Sequence, residues 1–393
     1  MLPKHRHFWL TAALVILVLL VTAVLRWRRP VEPAPVPAGA TPAPGMATPT
    51  AQTSGGSSAP AGQSVQQRLD GFAGQLAASP NAETSRRLLA ELRAFLDTLP
   101  KDVASRDVQS WLGTGNDAAT YLDVTIKPGG ALGGASTVRV FLLDFLGQID
   151  APAAAALGRQ VLSTPSSADE WAVSLRNVAA ADQSAATLEF LKSKAAEMLA
   201  NPAWRQNPSS GFLEAFDVIV HTRATTLAPQ LTELVRDKGN KALAHAAYLT
   251  LDRLTITAPT ETLQQLAANP ELMAGREQTR ANFFARADVR DPQQKALLEQ
   301  YLLDASRTPQ ELQTFVGIYP NANFMISHNL LTPTPTPAQE QLTEHDRAAL
   351  AVVEQWVADP RFEKLKPQME AIRARLRTFV EQATASSAPA GER

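Results

Sequence analysis

Cysteine is absent from all 393 residues, which excludes disulfides, thiolate metal sites, a thiol nucleophile and lipid attachment through sulfur. The absence suits an oxidising compartment, where a stray thiol is a hazard. Aromatic side chains make up only 6% of the chain; Ala and Leu dominate, a balance that favours helices over sheets. Net charge is nearly lacking too. With 37 basic and 38 acidic side chains the formal charge is −1, so no global field steers nucleic acid or an acidic substrate toward the protein.

What is present is one long apolar run. Phe8 to Leu25, FWLTAALVILVLLVTAVL, holds no charge, proline or glycine. As a helix it measures ~27 Å, close to the ~30 Å hydrocarbon core of a bilayer. Trp9 and Trp27 stand at its ends, and Lys4, Arg6, Arg26, Arg28 and Arg29 bracket it, as in a membrane span. Arg26-Trp27-Arg28-Arg29 follows the run where a signal-peptide cleavage site would need small residues, and Ala38-Gly39-Ala40 lies well beyond it among prolines. The expectation is therefore an uncleaved signal anchor at 8–25, behind a basic flank at 1–7. A count of Lys and Arg alone leans toward a cytoplasmic C-terminal side. The lack of Cys and the composition of the linker favour an exported, periplasmic or extracellular, soluble part.

From 26 to 66 the chain is rich in Pro, Ala, Thr and Ser. It lacks the apolar bulk to bury a core, which predicts a disordered linker with a reach between ~30 Å as a coil and ~110 Å extended. Helical periodicity then begins. Leu69, Phe72 and Leu76, and Leu88, Leu89, Leu92, Phe95 and Leu96, mark two amphipathic helices, with Asn81 placed to cap and Pro100 to stop; a third is expected over 103–112. The stretch 119–136 carries four glycines and a proline and reads as a loop or short hairpin inserted in the helical part. Thr137 to Ile149 is apolar on almost every side, as suits a buried helix. Helix pairs follow, with first helices near 152–163, 183–200, 224–238, 260–268 and 292–306. Second helices are expected near 168–180, 209–222, 240–255, 275–288 and 309–318. Starts spaced by ~30 to 40 residues are the cadence of helical-hairpin repeats.

The best single unit, Leu227 to Leu254, resembles a HEAT repeat. Pro229, Leu231 and Leu234 sit in its first helix, Asp237 and Gly239 in the turn, and Ala244, Ala246, Ala247, Leu251 and Leu254 in its second. Ala242-Leu243 stands where that family has Val-Arg. The resemblance implies stacked helix pairs with small residues at close approaches. A different likeness lies in the layout of anchor, Pro/Ala-rich linker and helical body, which resembles the lipase-specific foldases. Their motif of Arg, two residues, then Phe-Asp-Tyr has its nearest string in Leu213-Glu214-Ala215-Phe216-Asp217-Val218, which lacks both the Arg and the Tyr.

Toward the end, Thr308-Pro309-Gln310-Glu311 reads as a capping box with Pro at the first helical position. Thr332 to Pro337 is a stiff Thr-Pro spacer (332–337). A C-terminal helical hairpin is expected at 338–383, with an apolar seam of Leu365, Met369, Ile372, Leu376 and Phe379, and a disordered tail at 384–393.

Candidate chemistry is sparse. Gly129 to Ser136 has glycines ahead of a helix, but Ala135 stands where a phosphate loop needs Lys, so it reads as a connector with Ser136 capping the next helix. Of His5, His7, His221, His245, His328 and His345, none forms H-x-x-x-H or pairs with carboxylates at ligand spacing. His221 ends a helix, where the dipole favours a cation. His328, beside Ser327 and Asn329, is the one candidate base, without a nucleophile turn to serve. Asp169-Glu170 suits a helix start. Lys364, Lys366, Arg373, Arg375 and Arg377 read as a solvated face.

The expectation is thus an all-α protein: an irregular α-solenoid of helical hairpins, spanning 67–331, behind a single transmembrane helix and a disordered linker. The function expected is a non-enzymatic scaffold that binds a protein partner, with the membrane engaged through 8–25. No catalytic, cofactor-binding or metal residue is assigned, and no cofactor, nucleic acid or small-molecule ligand is expected. The alternatives are a steric chaperone for an exported partner, or an enzyme with an unrecognised site.

Overall fold

The computed structural model describes residues 64–325, 327–333 and 336–387. The anchor expected at 8–25, the linker up to residue 63 and the last six residues lie outside the described residues. Among the described residues, no helix is long and apolar enough to cross a membrane.

Local chemistry sets most helix starts. Helix α1 (Val65–Ala78) opens on a reciprocal capping box between Ser64 and Gln67. Helix α2 (Ala82–Asp97) is capped by Asn81, as expected, and α3 (Lys101–Gly113) begins directly after Pro100. Their apolar stripes, among them Leu69, Leu76, Leu88, Leu92, Leu96 and Trp111, are buried; each such side chain contributes ~1.5–3 kcal/mol relative to exposure. The Gly-rich stretch folds as an antiparallel hairpin of β1 (Thr125–Ile126) and β2 (Leu132–Gly134), the only strands among the described residues. Gly130 at its turn has φ +84°, and a Cβ there would lie 2.5 Å from the Leu330 carbonyl oxygen. Backbone conformation and close approach thus both demand glycine.

Helix α4 (Val138–Ile149) is buried along most of its length, but its cap is Thr137, whose hydroxyl accepts from the Val140 amide. Ser136, expected in that role, instead donates to Asp169 at 2.5 Å. Helices α5 (Ala151–Val161), α6 (Ala168–Ala181) and α7 (Ala185–Ala200) follow. Helix α6 is the hub, buried from Ala168 to Ala179 although it carries Asp169, Glu170, Arg176 and Asn177. Each of these finds a partner. Glu170 completes the capping box with Ser167 and accepts from Arg139, while Arg176 donates to Asp144 and to the Gly130 carbonyl, and Asn177 to the Leu143 carbonyl. The helix-start charges expected at Asp169 and Glu170 are therefore also interior struts. Two hydrophobic clusters meet here: Ala154 and Val173 belong to the first, Val161, Ala172 and Leu175 to the second.

The single helix expected over 209–222 is two short ones, α9 (Ser210–Glu214) and α10 (Asp217–His221), after an unexpected single-turn α8 (Pro202–Gln206). The HEAT-like stretch forms α11 (Ala228–Arg236), preceded by a 3-10 turn, and α12 (Lys241–Thr257), with the Gly239 amide donating to Asp237 in the turn at 2.7 Å. Then come α13 (Pro259–Ala268), α14 (Glu277–Phe284), α15 (Pro292–Leu303) and α16 (Pro309–Ile318). Sequential neighbours pack as pairs (α5 on α6, α11 on α12, α12 on α13). Others skip neighbours: α4 on α6, α6 on α9, α13 on α15, α14 on α16 and α16 on α18.

Residues 319–338 carry no helix or strand in their described part, and they lead to the paired helices α17 (Gln339–Ala358) and α18 (Lys366–Ser387). Met369, Ile372 and Leu376 of the expected seam are buried, but Phe379 is 46% exposed, so the seam stops a step early. Arg375 also departs from the solvated face assigned to it, since its guanidinium donates to the Val316 and Tyr319 carbonyls at the C-terminus of α16. There it satisfies acceptors the helix leaves open. The architecture is all-α apart from the hairpin.

Candidate functional site

Two acid–arginine pairs help tie the 319–338 strap to the helical body. At the first, Arg286, just beyond α14, holds Asp252 of α12 with two parallel bonds of 2.6 and 2.8 Å, and donates to the Asn321 and Asn323 carbonyls. The Asn321 amide donates back to the Ala285 carbonyl at 2.7 Å. At the second, Asp217, only 5% exposed at the start of α10, accepts from the amides of Leu331 and Thr332 at 2.6 and 2.8 Å. It also accepts from the Thr332 hydroxyl and from Arg253 of α12 at 2.7 Å. Leu330 is buried beside this staple, under Gly130.

Between the two ties the strap passes over α12, and a cavity of about 300 Å³ lies there. Its floor is one face of α12. Ala242, Ala246, Leu249, Arg253 and Ile256 line it at helical spacing, with His245 beside them; Leu213, Glu214 and Phe216 form one wall and Phe324, Met325 and His328 the strap side. Met325 is 56% exposed at the rim.

The electrostatics of the cavity are uneven. Burial pushes the Asp252 carboxyl up from its ordinary range, opposed by the hydrogen bonds and charge of Arg286. Glu214 also sits above its ordinary range, first through burial and then through the neighbouring Asp217 charge, with Arg253 opposing. Unlike the two aspartates, the Glu214 carboxylate has no hydrogen bond or ion pair among the described residues, though the Arg253 charge acts on it.

The structure brings His245 and His328 to this one cavity and leaves the other described histidines elsewhere. His328 is exposed; the Ser327 hydroxyl beside it donates to Asn329 at 2.7 Å. His221 closes α10 as expected, yet burial lowers its pKa, with Asp217 opposing, and its Nε2 is buried without a partner. Neutral imidazole is therefore favoured over the cation expected at a helix end. Among the described residues, no group of three His, Asp or Glu side chains is placed to hold a metal ion. Gly129 and Gly130 turn a hairpin, and the Gly130 carbonyl is committed to Arg176. In the string that resembles the foldase motif, Phe216 and Asp217 are both buried, and Asp217 is consumed by the strap.

In the sequence, Glu214 and Asp217 stand out only within the foldase-like string, and Asp252, Arg253 and Arg286 do not stand out at all. Nothing in their spacing distinguishes them from solvated charges. The one hint was composition, since Phe212 to Val220 is too apolar to lie at a surface. Compared with protein-family models, with curated proteins and with solved structures, the chain gives no match.

Proposed function

We propose that this protein is a membrane-tethered, non-enzymatic scaffold whose stacked helical hairpins, an irregular α-solenoid with a HEAT-like unit at 227–254, bind another protein on the exported side. One observation carries the reading: the α12 cavity joins an apolar helix face, an exposed Met able to adapt to what it touches, and a carboxylate left unpaired among the described residues. Supporting it, the strap that borders the cavity is fixed by buried acid–arginine ties, which holds the surface ready without ordering cost on binding. The run at 8–25 would supply the anchor and the 26–66 linker the reach. Fold alone does not assign function, so the reading rests on this site.

Two measurements test it. Protease added to intact spheroplasts should digest the 64–387 body while leaving the anchor protected; protection of the body would put the scaffold on the other side. Proximity labelling from a fusion at the C-terminus should enrich a specific protein, and the enrichment should fall when the cavity is blocked by Met325→Arg together with Ala246→Trp. Labelling that stays unspecific counts against a scaffold.

A further inference from the structure

The two aspartates in the α12 cavity are neutralised within the fold. Asp217 faces Arg253, and Asp252 faces Arg286. Glu214 is the remainder. It ends the short helix α9, half-buried against Leu213 and Phe216, and contributes one negative charge that no described group pairs. A carboxylate left partly desolvated without a partner is costly, and an incoming cation relieves that cost. Beside it, Ala242, Ala246 and Leu249 stand at i, i+4 and i+7, an apolar stripe of mostly small side chains that lines the cavity, whose other walls come from the α9–α10 segment and the strap. At about 300 Å³ the cavity is at the lower end for ligand sites. It has room for one or two side chains.

We propose that the cavity over α12 receives an extended segment of the protein partner, whose Lys or Arg side chain pairs with Glu214 while its flanking apolar residues lie on Ala242, Ala246 and Leu249. This deepens the scaffold reading and rests on it. Charge complementarity selects the occupant: an acidic segment would meet Glu214 as a like charge, and a purely apolar one would leave it desolvated and unpaired. Met325 at the rim covers the bound side chain and adapts to its shape.

The test is selection of twelve-residue peptides from a random phage-displayed library on the full chain in detergent micelles, followed by titration of the enriched peptides. The expected result is peptides with one Lys or Arg flanked by apolar residues. Their affinity should fall roughly tenfold on Glu214→Gln, the scale of losing one partly screened charge pair, and more on Glu214→Lys. Selection on Glu214→Lys itself should return acidic centres instead. Met325→Lys, an exposed change that leaves the core intact, should weaken the same peptides, and Arg86→Ala on α2 should not. Enriched peptides without a cation, or with affinity indifferent to Glu214→Gln and Met325→Lys, overturn the inference; so does a library that yields no binder. If proximity labelling still recovers a partner under either result, the scaffold stands and only this site falls. If it does not, both fall together.

Discussion

Two glutamates, 97 positions apart in the chain, show what the protein does with buried charge. Glu311, in α16, is 0% exposed and fully compensated: Arg280 grips it with two bonds of 2.7 Å, the Tyr301 hydroxyl donates at 2.9 Å, and Arg307 lies at 3.4 Å. Around it runs an aromatic series, Phe284 stacked on Tyr301 at 4.3 Å, then Phe315, Tyr319, Trp356 and Phe362. Glu214, at the α12 cavity beside Leu213 and Phe216, has no partner for its carboxylate among the described residues. The α14–α16 end has thus closed its electrostatics to become structure, whereas the cavity has left one charge open. Uncompensated polarity at a concave surface is what a partner can use, and compensated polarity is not.

The sharpest way to break the contrast is Glu311→Ala. It leaves Arg280 as a buried cation without its carboxylate, Arg307 keeping Asp304, and should cost ~3–5 kcal/mol, read as a large fall in urea midpoint. A loss below ~1 kcal/mol would mean that the cluster is not buried in solution. Asp217→Ala comes next. It strands two amides and Arg253, for ~2–4 kcal/mol, and hydrogen exchange should show the Leu331 and Thr332 amides losing protection before the helices do. If α5 and α6 exchange equally fast, the strap is not an independent tie.

His345 gives a smaller, pH-dependent effect. Burial lowers its pKa below the ordinary 6.5, as does Arg290, while Asp288 and Asp346 oppose. Because the folded value is depressed, its contribution is present above 6.5 and lost as pH falls through the lower folded value. His345→Gln should flatten the stability profile over that acidic window, measured by thermal melts at stepped pH.

The smallest effect on stability is expected at Glu214 itself. Its folded pKa is raised, so its contribution is full below the ordinary carboxylate value of 4.5 and lost as pH rises through the folded value. Glu214→Gln should therefore match the native protein in acid and gain only a few tenths of a kcal/mol, about the size left after solvent screening, at neutral pH. A variant that is destabilised at neutral pH would place Glu214 on the structural side of the comparison.

Much of the fold was legible because it is local. Asn81 caps α2, Thr308 caps α16, and Pro259, Pro292 and Pro309 open helices; these choices depend on residues within a turn of one another. Where the reading failed, distant residues intervened. The Thr308 to Glu311 capping box is only half formed: Thr308 accepts from the Glu311 amide, but the carboxylate is drawn to Arg280 and Arg307 instead of back to the cap. The break between α9 and α10 carries no proline or glycine. Phe212, Ala215, Phe216, Val218, Ile219 and Val220 are all buried, so no exposed face remained to reveal the period. The candidate site was legible only in part, through His328. The carboxylate that gives it character looks like any other in the chain.

By itself, then, the sequence determined the helical class and most helix boundaries, since propensity, capping and proline act over a few residues. Tertiary structure alone decided which charges meet. Asp217 is tied to Leu331 and Thr332, more than a hundred residues away, and Glu214, three positions earlier, is tied to nothing described. Desolvation and pairing depend on the full three-dimensional neighbourhood, and neighbouring positions in a chain need not share one.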